Sequence, residues 1–194
     1  MKSLRFVLSV VLMSLTTVAF AQSDAHKMAE PKAPAPKSEA QTSFDAMKAL
    51  AGDWEGPVKT DMPVEANVDI KPLHVSMRVT SRGNVLVHEF QEAGTPLDPA
   101  KYDHPVTMLY VDVDADRLTL VHYCDAGNRP RMTGKMSPDG KTVEFEFADI
   151  SGNAAYHMHH AVFTFIDADH HTEDWTFMMK DKAIHAHFDL KRAQ

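Results

Sequence analysis

Apolar residues recur at every second position in a series of short runs, and only two to four turn-type residues separate most of these runs. The runs cover 75–79, 85–90, 107–112, 118–124, 131–136, 141–147, 156–166, 172–179 and 184–190, with an earlier alternation at Val64, Ala66, Val68 and Ile70. This period of two is the mark of half-buried strands. Between them lie Ser81-Arg82-Gly83-Asn84, Asp114-Ala115-Asp116, Ser137-Pro138-Asp139-Gly140, Ser151-Gly152-Asn153, Asp167-Ala168-Asp169 and Lys180-Asp181-Lys182. Connections this short join antiparallel strands, because a parallel crossover needs a dozen or more residues. About nine or ten successive strands without a helical crossover leave a sandwich or an up-and-down barrel. Unbroken hairpin succession favours the barrel, which also leaves no exposed edge.

The strands do not begin at once. Lys2 and Arg5 precede an apolar run from Phe6 to Phe20, and Ala19-Phe20-Ala21 supplies the small residues of a cleavage site, which reads as an export signal over residues 1–21 with cleavage before Gln22. About 15 apolar residues fall short of the roughly 20 that a membrane-spanning helix requires. The expected location is the periplasm or the outside of the cell. Residues 22–42 carry Pro31, Pro34 and Pro36 in an Ala/Lys/Glu background without apolar periodicity and read as a disordered linker. Phe44, Met47 and Leu50 then recur at helical spacing, with Thr42 or Ser43 as the expected cap and Gly52 as the stop. A single domain over 43–194 remains, of a size that supports one core. Cys124 is the only cysteine, so no intramolecular disulfide staples it. A formal charge of -7 without a basic patch argues against nucleic acid and against anionic membranes.

Leu50-Ala51-Gly52-Asp53-Trp54-Glu55-Gly56 resembles the opening of lipocalin-like (calycin) barrels, and further blocks add to the likeness. These are His122-Tyr123-Cys124 with Gly127-Asn128-Arg129-Pro130-Arg131-Met132, then His157-Met158, Asp169-His170 and Trp175. Together they resemble an uncharacterised bacterial family of small exported lipocalin-like proteins, a domain of unknown function, over about residues 43–192. The resemblance implies an all-β antiparallel barrel with an internal cavity, a short N-terminal helix before it, and a Trp54 indole that closes one end. It brings no activity. The Gly-x-Trp-x-Gly start also occurs in haem-binding nitrobindin-type barrels, but the rest of their pattern is missing from this chain.

The residues themselves suggest two kinds of site. Leu118, Leu120, His122 and Cys124 share one strand face, and with Met108, Met132, Phe163 and Phe165 they form the expected lining of a pocket. A ligand there would be small and apolar or amphipathic, oriented by His122, Arg129, Arg131 and His157 against Leu120 and Met132. Arg129 and Arg131 flank Pro130 and could clamp a carboxylate or pair with nearby acidic loops. The second kind uses the histidines, seven of which fall between His157 and His187. His157 and His159 share a strand face, and His122 or His170 would supply a third ligand for a metal or a metal-dependent hydrolytic centre. His185 and His187 alternate with Ile184, Ala186, Phe188 and Leu190, which sends both imidazoles to solvent, and Glu144 and Glu146 form a solvated face in the same way. Cys124 reads as a small buried hydrophobe, and Trp54 and Trp175 as plugs. No phosphate-binding glycine loop, Gly-x-Ser-x-Gly elbow or His-Glu-x-x-His helix is present, so nothing in the sequence asks for an enzyme. A closed barrel with an envelope or interaction role is the remaining alternative.

Overall fold

A computed structural model describes residues 36–63 and 70–193. One α-helix, α1 (Glu39–Lys48), precedes eleven strands: β1 (Gly52–Gly56), β2 (Val58–Thr60), β3 (Leu73–Thr80), β4 (Val85–Glu92), β5 (Val106–Asp112), β6 (Arg117–Tyr123), β7 (Arg129–Met136), β8 (Thr142–Ser151), β9 (Tyr156–Asp167), β10 (His170–Met179) and β11 (Lys182–Arg192). The alternation at 64–69 lies outside the described residues, and Ile70 beside it is exposed.

From β3 to β11 each strand pairs antiparallel with the next, and β1 pairs with both β3 and β11, which closes an antiparallel barrel of ten strands. The closure has a kink. Trp54 and Glu55 face Arg192 and Lys191, whereas β2 continues along the same neighbour with Val58 opposite Phe188 and Thr60 opposite Ala186. Gly56 turns the chain between the two pairings, and a Cβ there would stand 1.8 Å from the Asp189 carbonyl oxygen. Pro57 has no N–H to offer the ladder; its carbonyl accepts the Asp189 N–H at 3.2 Å.

Helix α1 begins earlier than expected. Ser38 is the cap, its hydroxyl accepting the Gln41 N–H at 3.1 Å, so residues 39–42 are helical rather than linker. Thr42 and Ser43 lie inside the helix and donate their hydroxyls to the carbonyls of Ser38 and Glu39, each at 2.9 Å, the usual way a hydroxyl is satisfied mid-helix. The helix buries Phe44 and Met47 and packs against β5, β6 and β7. Beside it the Trp54 indole is fully buried and donates to the Leu50 carbonyl at 2.8 Å, with the Arg192 guanidinium 4.2 Å from the ring. This arrangement plugs one end of the barrel.

The interior next to that plug is packed. Leu109, Leu120 and Met132 lie opposite one another on β5, β6 and β7, and Phe145 meets Phe163 edge-on at 5.9 Å. Gly134 makes room for Phe145, since a Cβ there would come within 2.5 Å of its ring. Met108, expected inside, is on the outer face opposite Val87 and Val121, because β5 turns Thr107 and Leu109 inward instead. No helix among the described residues is long and apolar enough to cross a membrane.

Candidate functional site

The inward face of β10 carries His171, Glu173 and Trp175, an unusual choice for a strand interior. Glu173 is wholly buried, and so are His88 and His171 beside it. The carboxylate lies 3.1 and 3.2 Å from His88 Nε2, 3.1 Å from His171 Nε2 and 2.8 Å from Trp175 Nε1. An ionised carboxylate only accepts, so each of these nitrogens donates an N–H to it. Burial alone would push the Glu173 carboxyl up; the charge and hydrogen bonds of His88 and His171 outweigh that and hold it below the usual carboxylate range. Among the described residues, the buried Nδ1 atoms of both histidines have no protein partner. His171 also meets the Trp54 indole edge-on at 4.3 Å, so the polar cluster reaches back to the plug.

Beyond Trp175 the barrel opens into a cavity of about 300 Å³. Phe90, Met158, Phe177, Ile184, Ala186 and Phe188 supply its apolar wall, and Trp175 and His122 line it as well. Thr60 and Met62, from β2 and the residues after it, and Asp103, Pro105, Cys124, Asp125 and Ala126 complete the lining. His122 Nδ1 shares a 2.9 Å hydrogen bond with the Thr107 hydroxyl, and among the described residues its Nε2 has no partner. Burial, reinforced by His88, pushes this imidazole down to about 4, so it is neutral at pH 7 and can accept or donate one hydrogen bond to a guest. At the rim, Asp103, Cys124 and Asp125 bring ligand-type atoms within 4.8 Å of one another. Asp103 Oδ1 accepts the Asp125 backbone N–H at 3.1 Å. Burial raises the Asp103 carboxyl, the Asp125 charge adds to it, and burial likewise raises the Cys124 thiol, which keeps the sulfur protonated.

The expected site residues fall into three places. His122 lines the cavity. Leu120 and Met132 are fully buried in the packed core below it and do not line it. Arg129 and Arg131 are exposed, because β7 turns Pro130 and Met132 inward. Arg131 forms a forked pair with Asp149, its Nε 3.0 and 3.2 Å from the two carboxylate oxygens, so it is bound to its strand neighbour instead of aimed at a ligand. Asn128 ties the start of β7 to the loop before β9, donating to the Asn153 carbonyl at 2.7 Å.

His157 and His159 are not brought to His122. The β8–β9 ladder runs from Thr142 opposite Thr164 to Glu146 opposite His160, and past it both imidazoles rest against Phe147, at 5.0 and 4.8 Å. His157 Nδ1–H donates to the Ala154 carbonyl at 2.8 Å, and its Nε2 is 3.0 Å from His159 Nδ1. Both nitrogens of His157 are therefore in use, and a metal would have to break one of these bonds. Neither group of three clustered ligand-type side chains among the described residues contains His122, His157 or His159. The second such group, Glu144, Glu146 and His160, lies on the outer surface. His170 faces outward too and pairs with Asp189 at 2.7 Å. His187 pairs with Asp174 at the same distance on that face, as the alternation of β11 requires.

Sequence reasoning missed His88, His171 and Glu173 and took Trp175 for a plug. The period-two set His171, Glu173, Trp175 was visible, but Thr172, Asp174 and Thr176 on the other face are no more polar. Polarity alone could not say which face pointed in.

No protein-family model matches the chain. No curated protein matches it either. Solved structures do: Rv2717c of M. tuberculosis is 17% identical with a TM-score of 0.51, covering 78% of this chain and 98% of its own. A protein of unknown function of the DUF3598 family from Nostoc punctiforme is 13% identical with a TM-score of 0.39, covering 76% of this chain and 48% of its own. At these identities the first likeness concerns the fold alone, and the second is too weak to argue from.

Proposed function

We propose that this chain is an exported small-molecule binding protein that holds an apolar or amphipathic guest in the open end of its barrel. The observation that carries this reading is the cavity of about 300 Å³, walled by Phe90, Phe177, Ile184 and Phe188, with His122 on its lining, whose Nε2 has no partner among the described residues. Apolar walls with few convergent polar groups are the usual make-up of a ligand pocket, and this volume is at the small end of the range. Trp175 gives the wall a rigid aromatic surface, because its indole N–H is fixed to Glu173. The metal-dependent alternative loses its support with the separation of His122 from His157 and His159.

Native mass spectrometry of the exported protein, combined with metal analysis and titration with an environment-sensitive apolar dye, tests the reading. Dye binding that a retained natural ligand displaces is the expected result. A protein that carries no small molecule and binds no apolar probe is a closed barrel, and the reading is then wrong.

A further inference from the structure

Among the described residues that line the cavity, the carboxylates are the charged side chains at its exposed end. Asp103 and Asp125 stand at the cavity rim with Cys124 close to both, ligand-type atoms of the three lying within 4.8 Å of one another, and no Lys or Arg occurs among the described residues that line the cavity. His104 follows Asp103 in the chain and is one basic group beside that carboxyl. A carboxylate or phosphate head group would meet two like charges there, and an ammonium would meet two opposite ones. Each such contact attracts an ammonium and repels an anion. Away from the rim the cavity is walled by Ala186, Phe188 and Trp175, an apolar surface for the body of a guest, with His122 able to accept or donate one hydrogen bond. The nearly buried His122 side chain, whose Nε2 has no partner among the described residues, is an observation separate from the acidic rim, and both belong to one cavity.

We infer that the cavity selects a cationic amphiphile, an apolar body carrying an amine head that Asp103 and Asp125 hold at the rim. This inference rests on the small-molecule binding reading and names the chemistry of the guest. Neutral amphiphiles of the same shape bind more weakly, and anionic ones weakest of all. The preference is electrostatic at a solvated rim, so salt reduces it.

Calorimetric titration of the full mature chain at pH 7 with octylamine, octan-1-ol and octanoate is the test, since these share an alkyl body and differ in head charge. Octylamine is protonated under these conditions, as a lysine side chain is. The expected order is octylamine, octan-1-ol, octanoate, with about tenfold between the first and the last at low ionic strength, for a difference of about 1.4 kcal/mol. The double variant D103N/D125N should bring octylamine to the affinity of octan-1-ol. Asn at residue 103 keeps the oxygen that accepts the Asp125 N–H, so the rim geometry is preserved, and an unchanged unfolding midpoint verifies this. Binding of octan-1-ol with no preference for octylamine, or a preference that survives in the double variant, overturns the amine inference and leaves the binding reading standing. Failure of all three probes to bind removes both.

Discussion

Trp175 Nε1–H donates to Glu173 Oε2 at 2.8 Å, so the ring that lines the cavity is held by a buried charge two residues before it on the same strand. The same carboxylate takes His88 and His171, which makes it the junction of the barrel interior. Glu173→Gln removes the charge and turns one accepting oxygen into an NH2 group, so at least one of the three N–H donors loses its acceptor. Glu173→Gln is expected to destabilise the fold by about 3 to 5 kcal/mol, the usual range when one partner of a buried ion pair is lost. Urea unfolding measures this, and Trp175 emission should change with it. A loss below about 1 kcal/mol would mean that the cluster is neutral or wet.

Acid should weaken the fold in two stages. The unfolded chain protonates His122 near its ordinary value of 6.5, whereas the folded chain resists until about 4, so below 6.5 the unfolded state binds the extra proton. Stability is full above pH 6.5 and falls by about 3 kcal/mol by pH 4 on this account alone. Glu173 acts lower down: its folded pKa is depressed, so its contribution is present above the ordinary carboxylate range and disappears as pH drops through the folded value. Unfolding midpoints recorded across pH should show both limbs. His122→Phe should flatten the upper limb and spare the lower one; an unchanged upper limb would show that other groups cause it.

The barrel was legible because every hairpin states its period and its turn in local residues, as in 141–147 followed by 156–166. Its closure was less so, since the joint at Gly56-Pro57 depends on how close β11 comes. The site was legible in part. His122 stood out as a lone polar residue on the apolar face of β6. Arg131 misled because an arginine beside a proline looks the same in sequence whether it faces a ligand or Asp149. His157 and His159 misled for another reason: the β9–β10 ladder shifts register between Thr176 and Phe177, so spacing along β9 no longer fixes which way a side chain points.

Gly56 and Gly134 carry different loads. A Cβ at Gly56 meets a backbone oxygen, which cannot give way without breaking the β11 ladder, so Gly56→Ala should cost about 3 kcal/mol or more. At Gly134 the obstacle is the Phe145 ring with Leu118 behind it, side chains that can shift, and Gly134→Ala should cost about 1 to 2 kcal/mol. Thermal unfolding of the two variants tests the order. Equal losses would place the barrel closure elsewhere.

Export has a direct test. If residues 1–21 are a signal, N-terminal sequencing of the secreted product should begin Gln-Ser-Asp-Ala. A product that keeps Met1 in the inner membrane rejects the proposal.

Two tryptophan substitutions separate the packed half of the barrel from the open half. Leu120 is fully buried between Leu109 and Met132, so Leu120→Trp has no void to fill and should cost about 3 kcal/mol or more, at or above the upper end for overpacking. Ala186 lines the cavity opposite Thr60, so Ala186→Trp should place its ring in the empty volume at a cost of about 1 kcal/mol or less. The second variant should lose apolar dye binding, while the first, where it folds, should retain it. Denaturant unfolding and dye titration on both proteins give the two readouts. If Ala186→Trp proves the more damaging change, or binds dye as well as the unmodified chain, the cavity beyond Trp175 is not where the guest sits.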